Sequence, residues 1–495
     1  MRSVINHQMM FGRTDISAIV FDPKSRDDVP KILRGLQGIY TNEELRKRIF
    51  AILEEVRPER KKGDGKADSS TGRPGMEQWA ILVLGVVRLG LNIDYDRLHE
   101  LVNQHTTLRQ MLGHNDWTDK TTYELQTIKD NVRLFTPELL DRINHEVVLA
   151  GQALVKKKDQ ENFLPLMARG DLFVVETNVH FPADISQLYD AMRKVLEVCA
   201  TLSALQGSTR WRQFSHNLRG IKRLLRVVHK LKKSTSKNPE KKAHKEQKIK
   251  QAHREYLAAA NHQLQRAMST GAEFGGVNPL LLSKLNHYVA HAEVQMDQIR
   301  RRVLNEEIIP HSEKVFSIFQ PHTEWISKGK AGVPVELGLK VCIIEDQYRF
   351  ILHHQVMEQV TDSDIAVSIV EETKMRFPNL QAISYDKGFH SPQNQIELKT
   401  LVEKVVLPKK GKLSKLDKAH ESEPEFRKLR RQHSAVESAI NALEVHGLDI
   451  CLDHGIKGFK RYVALAVLAR NIHRFGVLLS QKDGKRHRGA YKKAA

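Results

Sequence analysis

The sequence predicts an α/β protein: a mixed core of strands and helices, a large helical insertion after the first strand, and an all-α region before it. Two β-rich blocks, one at 171–181 and one from Val335 onward, supply the strands. Apolar residues at helical spacing dominate elsewhere. The stretch 185–330 reads as helix throughout, so it interrupts the core as an insertion.

The N-terminal region, 1–160, opens its helical pattern at TNEELRKRIFAILEEV, where Thr41 and Glu44 have capping-box spacing. GDGKADSSTGRPG at 63–75 reads as a linker, followed by an apolar helix from Met76 and helical patterns at 94–112, 119–134 and 136–158. The first strand lies in the segment 161–184, and Asp184 is positioned to cap the next helix. Within the insertion, between Ser208 and Arg254, sixteen Lys or Arg face two Glu, with a turn predicted at KKSTSKNPEKK. In 331–480, VELGLKVCIIEDQ and RFILHHQVME form a predicted antiparallel hairpin turning at 346–348. A helix at 362–376, a strand at 380–385 and helices at 423–446 and from Phe459 follow. The basic tail, 481–495, is predicted to be disordered.

At 495 residues the chain can bury a large interior, and a net charge of +20 with a pI near 9.7 favours polyanionic partners, nucleic acid first among them. Cys199, Cys342 and Cys451 are far apart and form no CxxC or Cys/His spacing, which excludes a zinc-finger or disulfide framework and fits a reducing cytoplasm. The N-terminus lacks a secretory pattern. WAILVLGVVRLGLN, at 79–92, is too short for a bilayer and is broken by Arg88, so no membrane association is expected.

Three carboxylates stand out by their settings: Asp171 in the first strand, Asp386 at the end of a later one, and Glu437 within an amphipathic helix. Acidic oxygens from separate elements that converge on a pair of cations are what two-metal phosphodiester cleavage needs, and hard cations such as Mg²⁺ select oxygen ligands. Taken alone, Asp171 reads as a turn or cap, Asp386 before Lys387 and Gly388 as a plain turn, and Glu437 as a solvated helix residue. Their joint order favours catalysis. Lys387, His390, Asn394 and His433 are second-tier candidates: they could orient a phosphate or bound water, or equally cap a helix or face solvent. Phosphate contact is assigned to Arg210, Arg212, Arg219, Lys222, Arg223, Arg226 and Lys230 in the basic block and to Arg430 and Arg431 beside His433. A solvated charged helix pair would have the same composition.

Strand, hairpin, helix, strand, helix is the order of a ribonuclease H-like catalytic core, here with the helical insertion at a surface connection. The segments DLFVVETNVHFPAD, DKGFHSPQN and HSAVESAINALEVHGLDICLDHGIKGFKRYVALAVLARNIHRFG resemble the DDE transposases of bacterial insertion sequences, in particular the long ISNCY-type family. The resemblance runs from Gly170 to Gly476, with all three motifs in order. It implies that Asp171, Asp386 and Glu437 hold two Mg²⁺ ions, replaceable by Mn²⁺, and that the protein cuts the ends of its element and joins the freed 3′-hydroxyls to target DNA. It also implies DNA partners (terminal inverted repeats and target), a homo-oligomer on DNA and a bacterial cytoplasmic, nucleoid-associated location; the N-terminal helices read either as the part that recognises the ends or as a structural bundle. Relatives read DTTVVE or DSTVVE where this chain has DLFVVE, so Glu176 stays open as the first ligand instead of Asp171. Where some related families carry a Tyr–Arg–Glu–Lys helix signature, this chain has Arg430 and His433 upstream and Glu444 in place of Lys. A nuclease of the same fold that cuts without joining, and a domesticated DNA-binding descendant, are the rival readings.

Overall fold

The computed structural model describes residues 3–5, 14–22, 24–57, 75–115, 119–155, 165–233, 238–274, 276, 278–327 and 334–494, with side chains described up to 484. The predicted linker at 63–74 and the centre of the predicted turn, 234–237, lie outside these residues. The chain divides into two compact units, 1–178 with 326–495, and 179–325.

The first unit is mixed α/β. Its strands are β1 (Leu166–Thr177), β2 (Glu324–Ser327), β3 (Val335–Asp346), β4 (Ile351–Val356), β5 (Leu380–Ser384), β6 (Lys404–Val406) and β7 (Ile450–Cys451), with β2 lying across the boundary between the units. They form one mixed sheet in which β2, β3, β1, β5 and β6 are successive neighbours, β4 also pairs β3, and β7 pairs β1. β3 runs antiparallel to both β1 and β4, whereas β1, β5 and β6 are parallel. The predicted hairpin is thus β3–β4. Asp346 closes it, one carboxylate oxygen accepting from the Tyr348 and Phe350 backbone N–H groups and the other from Gln152.

Residues 1–160, expected from their helical patterns to be a separate helical region, belong to the same compact unit as 326–495. Helices Val29–Thr41, Gln78–Gly90 and Pro137–Val155 pack on the helix that begins at Gly455. Their apolar residues join those of β1, β3 and β4 in a single core that includes Ile32, Leu82, Val147, Val175, Ile343 and Leu465. Gly476 permits the closest of these approaches: a Cβ there would lie 1.9 Å from the Lys31 carbonyl oxygen. Two polar ties are buried in the same core. Arg88, 2% exposed, pairs with Asp453 at 3.0 Å beneath the ring of Tyr95, and Asn471 bonds both Asn144 and the Ile351 backbone. A buried pair is costly to break, about 3–5 kcal/mol, because the survivor is left uncompensated.

Local signals were displaced in places. Thr41 ends one helix and Asn42 caps the next, its side chain accepting from Leu45 N–H, because the two helices abut. Ala183, rather than Asp184, is the cap of the helix Asp184–Leu205. The tail expected to be disordered continues the last helix through Ala494. Between Gly455 and Gly484 that helix is long and apolar enough to cross a membrane, but Phe459, Val463 to Ala469 and Ile472 are buried in the core, as a central packing helix requires.

The second unit is helical: Asp184–Leu205, Phe214–Lys233, Pro239–Phe274 and Pro279–Ile299 enclose their own core around Leu188, Val195, Leu225, Tyr256, Leu264 and Val289. Trp211 and Tyr256 are fully buried with their polar atoms satisfied, by the Thr270 hydroxyl at 2.9 Å and the Ile185 carbonyl at 2.9 Å.

Candidate active site

Strand register sets Asp171 and Asp386 at equivalent positions along two neighbouring segments. β1 and β5 run parallel with Arg169 opposite Ser384. Two residues further along each chain stand Asp171 and Asp386, and neighbouring strands lie about 4.8 Å apart. Gly170 makes this approach possible. The Tyr385 ring lies over it, with Cε1 2.0 Å from where a Cβ would sit. Tyr385 is fully buried, stacks on Phe389 at 4.3 Å and donates to the Ala366 carbonyl, which fixes the end of β5. Asp386 then turns the chain: it accepts from Gly388 N–H at 2.8 Å and remains exposed.

Glu437 arrives from the helix Ala435–Leu443, which packs on β1 through its buried Val436, Ala439 and Leu443. The helix predicted at 423–446 is in fact divided at Ser434 into Pro424–His433 and Ala435–Leu443. His433 and Glu437 therefore do not share one unbroken helix, yet they remain coupled. The His433 ring lies 3.2 Å from the Ser384 hydroxyl, and burial, reinforced by Arg169, holds its pKa below the usual imidazole range against the pull of Asp386 and Glu437. His433 thus feels both Asp386 and Glu437.

Glu176 belongs to the same strand but to its other face. β1 pairs with β3 without a shift from Ala168 to Glu176, so side chains alternate, and Asp171 shares its face with Arg169 while Glu176 does not. Asn394, 8% exposed, donates to the Ser363 and Phe389 carbonyls and so staples the loop after Asp386. Lys387 is exposed, in the turn that Asp386 caps, and His390 ends that turn half-buried.

Residues the sequence reading passed over also line this end of the sheet. Asp362 pairs with Lys340 at 2.6 Å and approaches the space above Gly388 to 3.2 Å, where Asp386 reaches 3.0 Å. Burial lifts the Cys342 thiol well above its ordinary range, and Asp171 and Asp362 push in the same direction. The capping-box pattern at Thr361 and Asp364 predicts a helix start here but gives no sign that its first residue faces Asp386. Among the described residues, no three His, Cys, Asp or Glu side chains are grouped closely enough to hold a metal ion. The donor chemistry of Asp171, Asp386 and Glu437 is nonetheless all hard oxygen, the type a divalent cation of the Mg²⁺ class selects.

The basic residues fall into two groups. Arg210 is paired with Glu273 at 2.5 Å and Arg430 with Glu421 at 3.2 Å, so both are partly committed within the fold. Arg219, Lys222, Arg223, Arg226 and Lys230 form an exposed stripe along Phe214–Lys233, opposite the buried Ile221, Leu225 and Val228. None of these five is in an ion pair among the described residues. Arg212 and Arg431 are exposed as well.

Compared with protein-family models, curated proteins and solved structures, the chain matches none of them.

Proposed function

We propose that the protein is a DNA transposase with a ribonuclease H-like catalytic core, cutting DNA ends and joining their 3′-hydroxyls to target DNA. The observation that carries the reading is the parallel register of β1 and β5, which pairs Arg169 with Ser384 two residues before Asp171 and Asp386, while His433 feels both Asp386 and Glu437, the latter from a helix packed on β1. The strand order supports it too: an antiparallel β4–β3–β1 meander continued by parallel β5 and β6 is the arrangement expected of that core.

Asp171, Asp386 and Glu437 are the residues that would hold divalent cations. Bound there, Mg²⁺ would lower the pKa of an attacking water and neutralise the leaving 3′ oxygen. The chain's own part is to orient. Asp171 is fixed by the central strand, Asp386 by its turn, and His433 by its contact with the Ser384 hydroxyl. The exposed stripe on Phe214–Lys233 supplies phosphate contacts, each of which releases counterion and makes binding salt-dependent.

Incubating the protein with end-bearing DNA, a target plasmid and Mg²⁺ tests this directly. Joined product is expected. Cleavage without joined product would reassign the protein as a nuclease of this fold, and binding without cleavage would leave a DNA-binding protein.

A further inference from the structure

Four rings of the second unit form a ladder that its core does not use. Phe181 meets Trp325 at 5.7 Å, Trp325 meets Phe316 at 5.7 Å, and Phe316 meets His311 at 5.1 Å. Phe181 is 66% exposed, His311 is exposed, and Trp325 and Phe316 are half-buried. Enclosing a Phe side chain is stabilising, so an open aromatic ladder forgoes stabilisation that the buried Trp211 and Tyr256 secure.

The ladder adjoins positive charge. His180, next to Phe181, donates from Nδ1 to the Phe181 carbonyl and contacts Asp190 through Nε2 at 2.6 Å. Both nitrogens face acceptors, so the ring carries a proton on each and is cationic when both bonds are made. On the next residue back from Asp190, the Tyr189 ring has Lys222 Nζ 5.7 Å from its centre and also feels Arg226. Through His180, Asp190 and Tyr189 the ladder therefore connects with the basic stripe of Phe214–Lys233.

We propose that this unit binds single-stranded DNA, with unpaired bases stacking on the ladder at Phe181 and Trp325 and backbone phosphates lying along Arg219, Lys222, Arg223, Arg226 and Lys230. Flat rings beside a cationic track suit an unpaired strand, whose bases are free to stack, better than a duplex, whose bases are already stacked. The proposal rests on the DNA-processing reading above for its choice of DNA, and it gives that reading a place to hold strands unpaired during cutting.

The test uses the full chain in EDTA, so that binding is read apart from cleavage, with a thymidine oligonucleotide of about 15 nucleotides and a duplex of equal length, followed by fluorescence anisotropy and tryptophan emission. Phe181→Ala and Trp325→Ala should each weaken oligonucleotide binding by about tenfold, the loss of one base stack, while duplex affinity stays within about twofold. Trp325→Phe, which keeps a stacking ring, should restore most of the affinity and guards against misfolding as the cause. Arg226→Gln with Lys230→Gln should weaken both DNAs and flatten the salt dependence. Unchanged oligonucleotide affinity in Trp325→Ala would overturn the proposal. So would ladder variants that alter only the oligomeric state in sedimentation, which would make the rings a contact between copies. Either result leaves the cleavage assay, and with it the transposase reading, standing.

Discussion

Asp171 and Glu176 lie on the same strand and project from opposite faces of the sheet, because β1 pairs with β3 in unbroken register across both. In the sequence Asp171 was the first choice for the first ligand and Glu176 the fallback; side-chain alternation puts them on different faces. Asp171→Asn is expected to abolish DNA cleavage and Glu176→Gln to leave it within about threefold of the parent, since the loss of a carboxylate charge matters only where cations bind. Cleavage assays on the two variants decide it, and the reverse result would move the site to the other face.

Asp386→Asn and Glu437→Gln are expected to cut at least about a thousandfold more slowly, a loss of several kcal/mol of charge stabilisation. DNA affinity and melting temperature should stay near parental values, because both side chains are exposed and a neutral amide preserves shape. Parallel cleavage, gel-shift and thermal-melt measurements separate a site defect from a folding defect. Parental cutting by either variant would remove that residue from the site.

The hairpin β3–β4 and the strand β5 were legible because β-branched runs bounded by turn residues admit little else, and their observed limits lie within a few residues of the predicted ones. β1 was read too late, at 171 rather than Leu166, because Arg169, Gly170 and Asp171 hide the alternation of buried Leu166 and Ala168. The settings of Asp171 in a strand, Asp386 just past a strand end and Glu437 in a helix were legible from the local patterns. The roles of Ser384, Arg169 and Asp362 were not, since they arise from register and packing between segments remote in sequence. The merging of the N-terminal helices into the core was equally hidden: Arg88 and Asp453 lie far apart along the chain, and no local pattern announces their pairing.

Gly170→Ala should act through Tyr385. The added methyl would lie 2.0 Å from the Tyr385 ring, which cannot retreat while it is buried, stacked on Phe389 and bonded to Ala366. Overpacking of this kind costs about 1–3 kcal/mol, and the displaced end of β5 would carry Asp386 with it. Urea denaturation should report the lost stability, and cleavage should fall by more than stability alone explains. Combining the change with Tyr385→Leu should recover part of the stability, as coupled neighbours do in a double-mutant cycle. Strict additivity would mean that the contact is not what restricts this position to glycine.

Glu345 predicts the pH dependence of stability. Burial raises its carboxyl to about 7, outweighing the Arg169 guanidinium 3.5 Å away, and raises neighbouring Asp346 to about 6 despite its bonds to the hairpin turn. Both groups hold protons more tightly folded than unfolded. Their contribution to stability is complete at pH values below the ordinary carboxylate range, and drains away as the pH rises to about 7. Glu345→Gln removes one of these titrations and leaves that of Asp346 in place. The variant should therefore gain on the parent as pH increases, by roughly 1–3 kcal/mol between about pH 5 and about pH 8. Urea denaturation of both proteins across that range measures the difference. Parallel stability curves would show that Glu345 is already ionised in the folded protein, with the Arg169 pair outweighing burial.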